Sequence, residues 1–379
     1  MARAARRRDD LRAPPSRARA LSASDWDFRQ PVRNWYSLGV SSSPTPPPGP
    51  IVVTGANGQL GRTLLARLAM SGHSSVRALV RSERARDTVC ALGLAPAPQI
   101  RVVDYTSPRE MGAAIAGATA VIHLVGIIKE WPGARYVEAH EQTCHALAVA
   151  ASRSGVERIV YLSILGSTPD SENDCLSSKG RAETLLLDGR VATTVIRVPM
   201  VLGGNDPASA SLRRSAQASK LRLIAGGRTL QQPIDARDVI RAILAACTAA
   251  PGRDLALDAG GPECLSHRNL VLRAARLWQN EPRIASIPIG PTRFAVGILD
   301  RVLRNPPITR AMFEILQHDD RVDPDILCRS LDLELIPLDQ TLSDHVGPAS
   351  VEMAAHHNRD RATEPGSDAR DHQGDQNAQ

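Results

Sequence analysis

Residues Thr54-Gly55-Ala56-Asn57-Gly58-Gln59-Leu60-Gly61 follow the apolar run Ile51-Val52-Val53 and open a stretch with leucines at helical spacing (Leu60, Leu64, Leu65, Leu68). Few short segments restrict a fold as strongly, because the three glycines need a strand on one side and a helix on the other. Gly55 permits a tight turn. Gly58 lets backbone approach a pyrophosphate, and Gly61 lets the helix pack close to the strand. Phosphate oxygens would then lie on unpaired N–H groups at the positive end of the helix. Asn57, Gln59 and Leu60 fill the remaining positions of this cradle.

The chain beyond this helix repeats the same unit. Apolar, β-rich runs at 51–54, 76–80, 100–103, 120–125, 158–164 and 193–198 alternate with helical periodicity at 59–70, 84–92, 107–116, 139–154 and 176–187. Such alternation predicts right-handed βαβ units around a parallel sheet. The runs lack period-two polarity, as expected for strands covered on both faces. The fold class is therefore α/β, a Rossmann-type doubly wound parallel sheet. Looser helical periodicity at 236–249, 266–279, 291–304, 308–317 and 337–345 predicts a smaller C-terminal α/β lobe. The expected organisation is an Arg/Pro-rich disordered arm (1–50), a dinucleotide domain (51–200), a substrate or partner lobe integrated with it (201–347) and a disordered tail (348–379).

Charge narrows the function. The net charge of the 379 residues is +6, but residues 1–50 contribute +5 and 351–379 contribute −3, leaving +4 for the rest. A mildly basic folded part argues against a nucleic-acid partner. No apolar run reaches the ~18 residues of a membrane span. The six cysteines form no CxxC pair, so neither a disulfide framework nor a metal site is expected. The arm lacks the apolar stretch of a secretory signal. An organelle-targeting arm, rich in Arg, Ala and Ser but carrying Asp9 and Asp10, stays open beside an early-called start codon. The expected location is cytoplasmic, with peripheral contact to an inner membrane as the variant.

The Thr-Gly-x-x-Gly-x-x-Gly spacing resembles the short-chain dehydrogenase/reductase superfamily, whose members with this form bind NAD(H) or NADP(H). The second strand ends Val80-Arg81-Ser82 with no carboxylate to take a ribose 2′-hydroxyl. Arg81 offers a planar fork for a 2′-phosphate, which favours NADP(H) over NAD(H). Ordinary solvated arginines are the alternative, since 43 of the 46 basic residues are Arg. Asp104, with Tyr105 beside it, closes the third strand where the resemblance implies adenine contact; Ser107 is the competing helix cap. His123-Leu124-Val125-Gly126 resembles the superfamily stretch whose backbone lines the ribose.

For hydride transfer the superfamily pairs a strand-end Ser with Tyr-x-x-x-Lys on the next helix. Ser163 and Lys179 match, and Lys179 is one of only three lysines. The Tyr position is Cys175, a shorter and differently tuned acid. The substitution leaves two readings. One is a cofactor-binding protein with impaired or non-standard hydride transfer; the other is an active oxidoreductase or epimerase/dehydratase-like enzyme with a substitute acid. Arg197-Val198-Pro199, the run from Gly226-Gly227 to Asp238-Val239, and Gly260-Gly261-Pro262-Glu263 are similar to the atypical, extended members. The branch they resemble is that of the nucleotide-binding accessory subunit of respiratory complex I. The resemblance implies a role in a complex or in quinone-related metabolism, with a quinone-like or lipid-like small molecule as ligand.

Overall fold

A computed structural model of the chain describes residues 46–204, 206–248, 254–303, 305–348 and 350. The expected arm and tail fall outside these residues except at their inner edges. β1 (Ile51–Thr54) leads through the glycine loop into α1 (Gln59–Met70), β2 (Val76–Val80), α2 (Glu83–Cys90), β3 (Gln99–Val102), α3 (Pro108–Ile115) and β4 (Ala120–His123). A π-helical turn over Val137–Gln142 then runs directly into α4 (Thr143–Ala151), where periodicity predicts a single helix. β5 (Arg158–Ile164), α5 (Asp174–Leu187) and β6 (Ala192–Val198) come next.

Beyond 200 come β7 (Val201–Leu202), α6 (Pro207–Gln217), β8 (Lys220–Ile224), β9 (Leu230–Gln231), β10 (Ile234–Asp235), α7 (Ala236–Cys247) and β11 (Leu255–Asp258). The described chain closes with β12 (Leu265–Ser266), α8 (His267–Arg276), β13 (Arg283–Ile287), α9 (Ile289–Val302), α10 (Arg310–Ile315), α11 (Pro324–Leu331) and α12 (Leu338–His345).

Seven strands form one sheet in the order β3-β2-β1-β4-β5-β6-β11, each pair parallel. The winding direction reverses between β1 and β4, which opens a crevice at the carboxyl ends of those strands. Alternate strand residues serve opposite faces. Ile51 and Val53 pack with α1 and α7, whereas Val52 packs with α3, α4 and α5. Both faces are apolar because both are roofed by helices, hence the absence of alternation.

α7 is buried along its entire length, charged residues included. Arg237 bridges Asp235 and Asp344 (both 2.7 Å), and His345 Nε2 lies 3.0 Å from Asp235. Arg241 pairs with Asp238, whose other oxygen accepts the Ile336 N–H at 2.9 Å. These contacts tie α12 and the segment before it to the sheet. The motif run near 232 does similar work. The Gln232 amide donates to the carbonyls of Gly261 (2.8 Å) and Val322 (3.1 Å) and accepts the Val322 N–H (2.9 Å). Among the described residues no helix is long and apolar enough to cross a membrane.

Candidate active site

The glycine loop is shaped by its own backbone. Gly55 takes φ +65°, a left-handed conformation that other residues adopt at a cost. Gly61 has no room for a side chain, since a Cβ would lie 2.5 Å from the Gly55 carbonyl oxygen and 2.8 Å from that of Ala56. The Gly55 N–H donates to the Tyr105 hydroxyl (3.0 Å), which donates in turn to the Leu79 carbonyl (2.5 Å). Tyr105 is thus a buried rivet joining loop, β2 and the end of β3, and burial raises its phenol pKa. α1 begins at Gly58 with no capping side chain and no acidic residue in its first turn. Its positive end is therefore left for an anion.

A cleft of about 520 Å³ opens on this end of the sheet, within the range of small-molecule and cofactor sites. Gly55, Asn57, Gly58, Arg81, Asp104, Tyr105, Leu124, Val125 and Gly126 all line it, as expected from sequence. The chemistry fits a dinucleotide: bare backbone at the phosphate end, a guanidinium at the tip of β2, and polar groups at the tip of β3. Gln59, Leu60, Gly61 and Ser82 do not line it. Gln59 reaches toward Gly203, Leu60 packs on the core, and Ser82 caps α2 by accepting the Ala85 N–H (3.3 Å). Asp104 accepts from the Thr106 N–H (2.9 Å) and hydroxyl (2.7 Å), while Ser107 caps α3.

Lys179, Ser163 and Cys175 do not line the cleft either; Lys179 is buried behind Gly126, and its ammonium donates to the carbonyls of Leu162 (3.0 Å) and Val125 (3.5 Å). Nζ lies 4.5 Å above the Tyr161 ring, and a Cβ on Gly126 would come within 2.8 Å of it. Burial lowers the Lys179 pKa; nearby Cys144, Cys175 and Glu183 oppose that. Ser163 is buried, with its hydroxyl 3.4 Å from that of Ser167. Asn173 caps α5 through the Cys175 and Leu176 N–H groups, which sets Cys175 in the first turn and Lys179 one turn on. The Cys175 thiol is buried, points at the Ile127 carbonyl (3.6 Å), and is pushed up to about 11 by burial. His123 Nδ1 lies 2.8 Å from the Thr54 hydroxyl and Nε2 3.3 Å from that of Thr143; burial drops it to about 3, so it is neutral and structural.

Residues 55–249 match a family model described as NAD(P)H-binding. The chain belongs to the NAD(P)H-binding family. NADH dehydrogenase (ubiquinone) 1 alpha subcomplex subunit 9, a mitochondrial protein of Arabidopsis thaliana, is 26% identical over 300 residues, covering 75% of this chain and 73% of that protein. A 4-hydroxy-2-methyl-3-oxo-4-farnesyl-3,4-dihydroquinoline-1-oxide ketoreductase of Stigmatella aurantiaca is 27% identical over 275 residues, covering 66% and 80%. The crystal structure of UDP-N-acetylglucosamine 4-epimerase from Bacillus cereus shares the fold, with TM-score 0.59 at 16% identity over 80% of this chain and 99% of that one.

Two residues of this NAD(P)H-binding protein escape sequence reasoning. Tyr136 and His140 lie at the π-helical turn after β4 and face the α5 residues. The Tyr136 hydroxyl donates to the Ile128 carbonyl (2.8 Å), and its ring stacks on His140 (5.6 Å between centroids). His140 Nε2 sits 3.1 Å from both the N–H and the carbonyl of Ile127. Burial pushes His140 down to about 3, with Lys179 adding to the effect. The scarcity of tyrosine, four in the chain, was the one clue in the sequence.

Proposed function

We propose that the chain holds NADP(H) in the 520 Å³ cleft and carries out hydride transfer that does not run through the superfamily's helix tyrosine, in a respiratory-complex or quinone-related role. One observation carries this reading. The hydroxyl's place on α5 is taken by the Cys175 thiol, buried and engaged with the Ile127 carbonyl. Ser163 and Lys179 keep the remaining positions, so cofactor holding survives while the usual proton path is cut. A bound nicotinamide supplies or takes the hydride. The chain would orient it, with the loop N–H groups free to hold its phosphates and Lys179 beneath Gly126. Arg81 on the cleft wall supports NADP(H), and the name of the Arabidopsis relative, a subunit of NADH dehydrogenase (ubiquinone), supports the respiratory-complex or quinone-related setting.

Cofactor fluorescence titration and turnover together test it. NADPH is expected to bind at least about tenfold tighter than NADH, with Arg81→Asp cancelling the difference, a change of ~1.4 kcal/mol. Cys175→Ala is expected to leave any turnover intact. Preference for NADH, or loss of turnover in Cys175→Ala, would overturn the reading.

A further inference from the structure

A hydroxyl does reach the neighbourhood of Cys175, but from another element. The carbonyls of consecutive residues receive the two groups: Ile127 takes the Cys175 thiol (3.6 Å) and Ile128 takes the Tyr136 phenol (2.8 Å). Burial raises the pKa of both groups, and each acts on the titration of the other. Tyr136 also lines a second cavity, about 300 Å³, between the segment after β4, the start of α5 and the 300–314 stretch. Gly126, Ile127, Ala134 and Arg135, on the same segment, line the dinucleotide cleft. Tyr136 therefore stands at the border between the place a cofactor fits and a cavity open to a second molecule. Lys129 pins this wall by donating to Asn305 (2.6 Å) and to the Pro306 carbonyl.

We propose that Tyr136 is the catalytic acid of this chain, delivering from the π-helical turn the phenol that the superfamily places on α5, to an uncharged ketone or quinone bound in the second cavity. The inference rests on the reading that the chain binds NADP(H) without the α5 tyrosine. In reduction, a substrate whose carbonyl reaches from this cavity to the border at Tyr136 would take a hydride at carbon from the reduced nicotinamide while Tyr136 releases its proton to the carbonyl oxygen. The products are the oxidised nicotinamide and the alcohol, or for a quinone the hydroquinone after enolisation, and solvent in the cavity reprotonates the phenolate. The phenol exchanges its Ile128 partner for the substrate oxygen. Glu130, Glu172, Asp174, Asp300 and Glu314 surround the cavity against one guanidinium, Arg310. That balance disfavours an anionic substrate such as a nucleotide sugar and leaves a neutral carbonyl as the fitting class. Burial holds the Tyr136 pKa above its ordinary value, reinforced by the thiol and by Glu130, so the expected chemistry is slow.

The test uses the full chain labelled with ¹³C at the tyrosine ring carbon that bears the hydroxyl, with Tyr136→Phe and Tyr105→Phe assigning the signals. NADP⁺ is compared with 2′-phospho-ADP-ribose, which fills the cleft but carries no nicotinamide. Tyr105 is expected to respond to both ligands and Tyr136 to NADP⁺ alone. A Tyr105 response with no NADP⁺-specific change at Tyr136 overturns this proposal and leaves cofactor binding standing. Silence at both tyrosines removes the cofactor reading, and this one with it. With phenanthrenequinone as acceptor, Tyr136→Phe is expected to lose about 100-fold or more in kcat at unchanged NADPH affinity. Adding Cys175→Tyr to that variant is expected to restore part of the rate. No quinone reduction by the wild type, or an unchanged rate in Tyr136→Phe, refutes the assignment.

Discussion

Gly61 and Gly112 both lie within helices, and replacing each by alanine is expected to act with opposite sign. At Gly61 a Cβ would stand 2.5 Å from the Gly55 carbonyl oxygen, whereas ordinary contact begins at 3.4 Å. Loop and helix must then part by about 0.9 Å. Neither side yields cheaply, because both atoms at the contact belong to backbone or sit directly on it. Alanine recovers ~1 kcal/mol of helix propensity, against ~1–3 kcal/mol for overpacking, so Gly61→Ala is expected to lower stability by up to about 2 kcal/mol. Binding is hit harder. A displaced loop misaligns N–H groups whose hydrogen bonds to a charged oxygen are worth ~1.5–3 kcal/mol each, so NADPH affinity is expected to fall at least tenfold. Gly112 in α3 is the control: the nearest atom to its Cβ would be the Ala150 methyl at 3.9 Å. Gly112→Ala is expected to gain up to ~1 kcal/mol with affinity unchanged. Urea denaturation and NADPH fluorescence titration of both variants check this. Wild-type affinity in Gly61→Ala, or equal damage from the two substitutions, would refute the reasoning.

Tyr105→Phe removes the hydroxyl between the Gly55 N–H and the Leu79 carbonyl. The Gly55 N–H loses its partner while the Leu79 carbonyl keeps the Ala56 N–H (3.3 Å), and a stability loss of ~1–2 kcal/mol is expected; a loss under ~0.5 kcal/mol in urea denaturation would contradict the rivet role. Acid should also unfold the protein through its buried imidazoles. His123 and His140 stand at about 3 in the fold against 6.5 when free. Their contribution is complete above pH 6.5 and is lost as pH falls toward 3, because the unfolded chain binds the extra protons. Each adds at most ~1.4 kcal/mol per pH unit, so the pair is expected to cost about 5 kcal/mol between pH 6.5 and 4.5. His140→Gln should halve this part of the slope in denaturation measured across that range; an unchanged slope would remove His140 as a contributor.

The outline of the site was readable because its determinants are local. Gly55 and Gly61 are demanded by a positive φ and by a missing Cβ, both set within a few residues of chain. α5 could be placed by spacing alone, so Lys179 and Cys175 fall one turn apart as counted. The arginine excess worked in the other direction, since a guanidinium at position 81 stands out little among 43. Past residue 200 less was legible. α6 and α11 went unread, and the strands there are only two to five residues long, with pairings such as β13 on β8 that join segments far apart in sequence.

By itself the sequence determined the strand–loop–helix cradle, the parallel sheet and the loss of the α5 tyrosine. These depend on backbone geometry and period, which neighbouring residues decide among themselves. Only the tertiary structure decided that β11 returns to the sheet, that α7 is enclosed with its arginines paired, and that Tyr136 and His140 meet Cys175 and Lys179. Tyr136 immediately precedes a π-helical turn whose irregular backbone has no repeat to read. Its place beside the thiol depends on packing between β4's outgoing segment and α5, and its ionisation depends on burial, which no count of residues along the chain supplies.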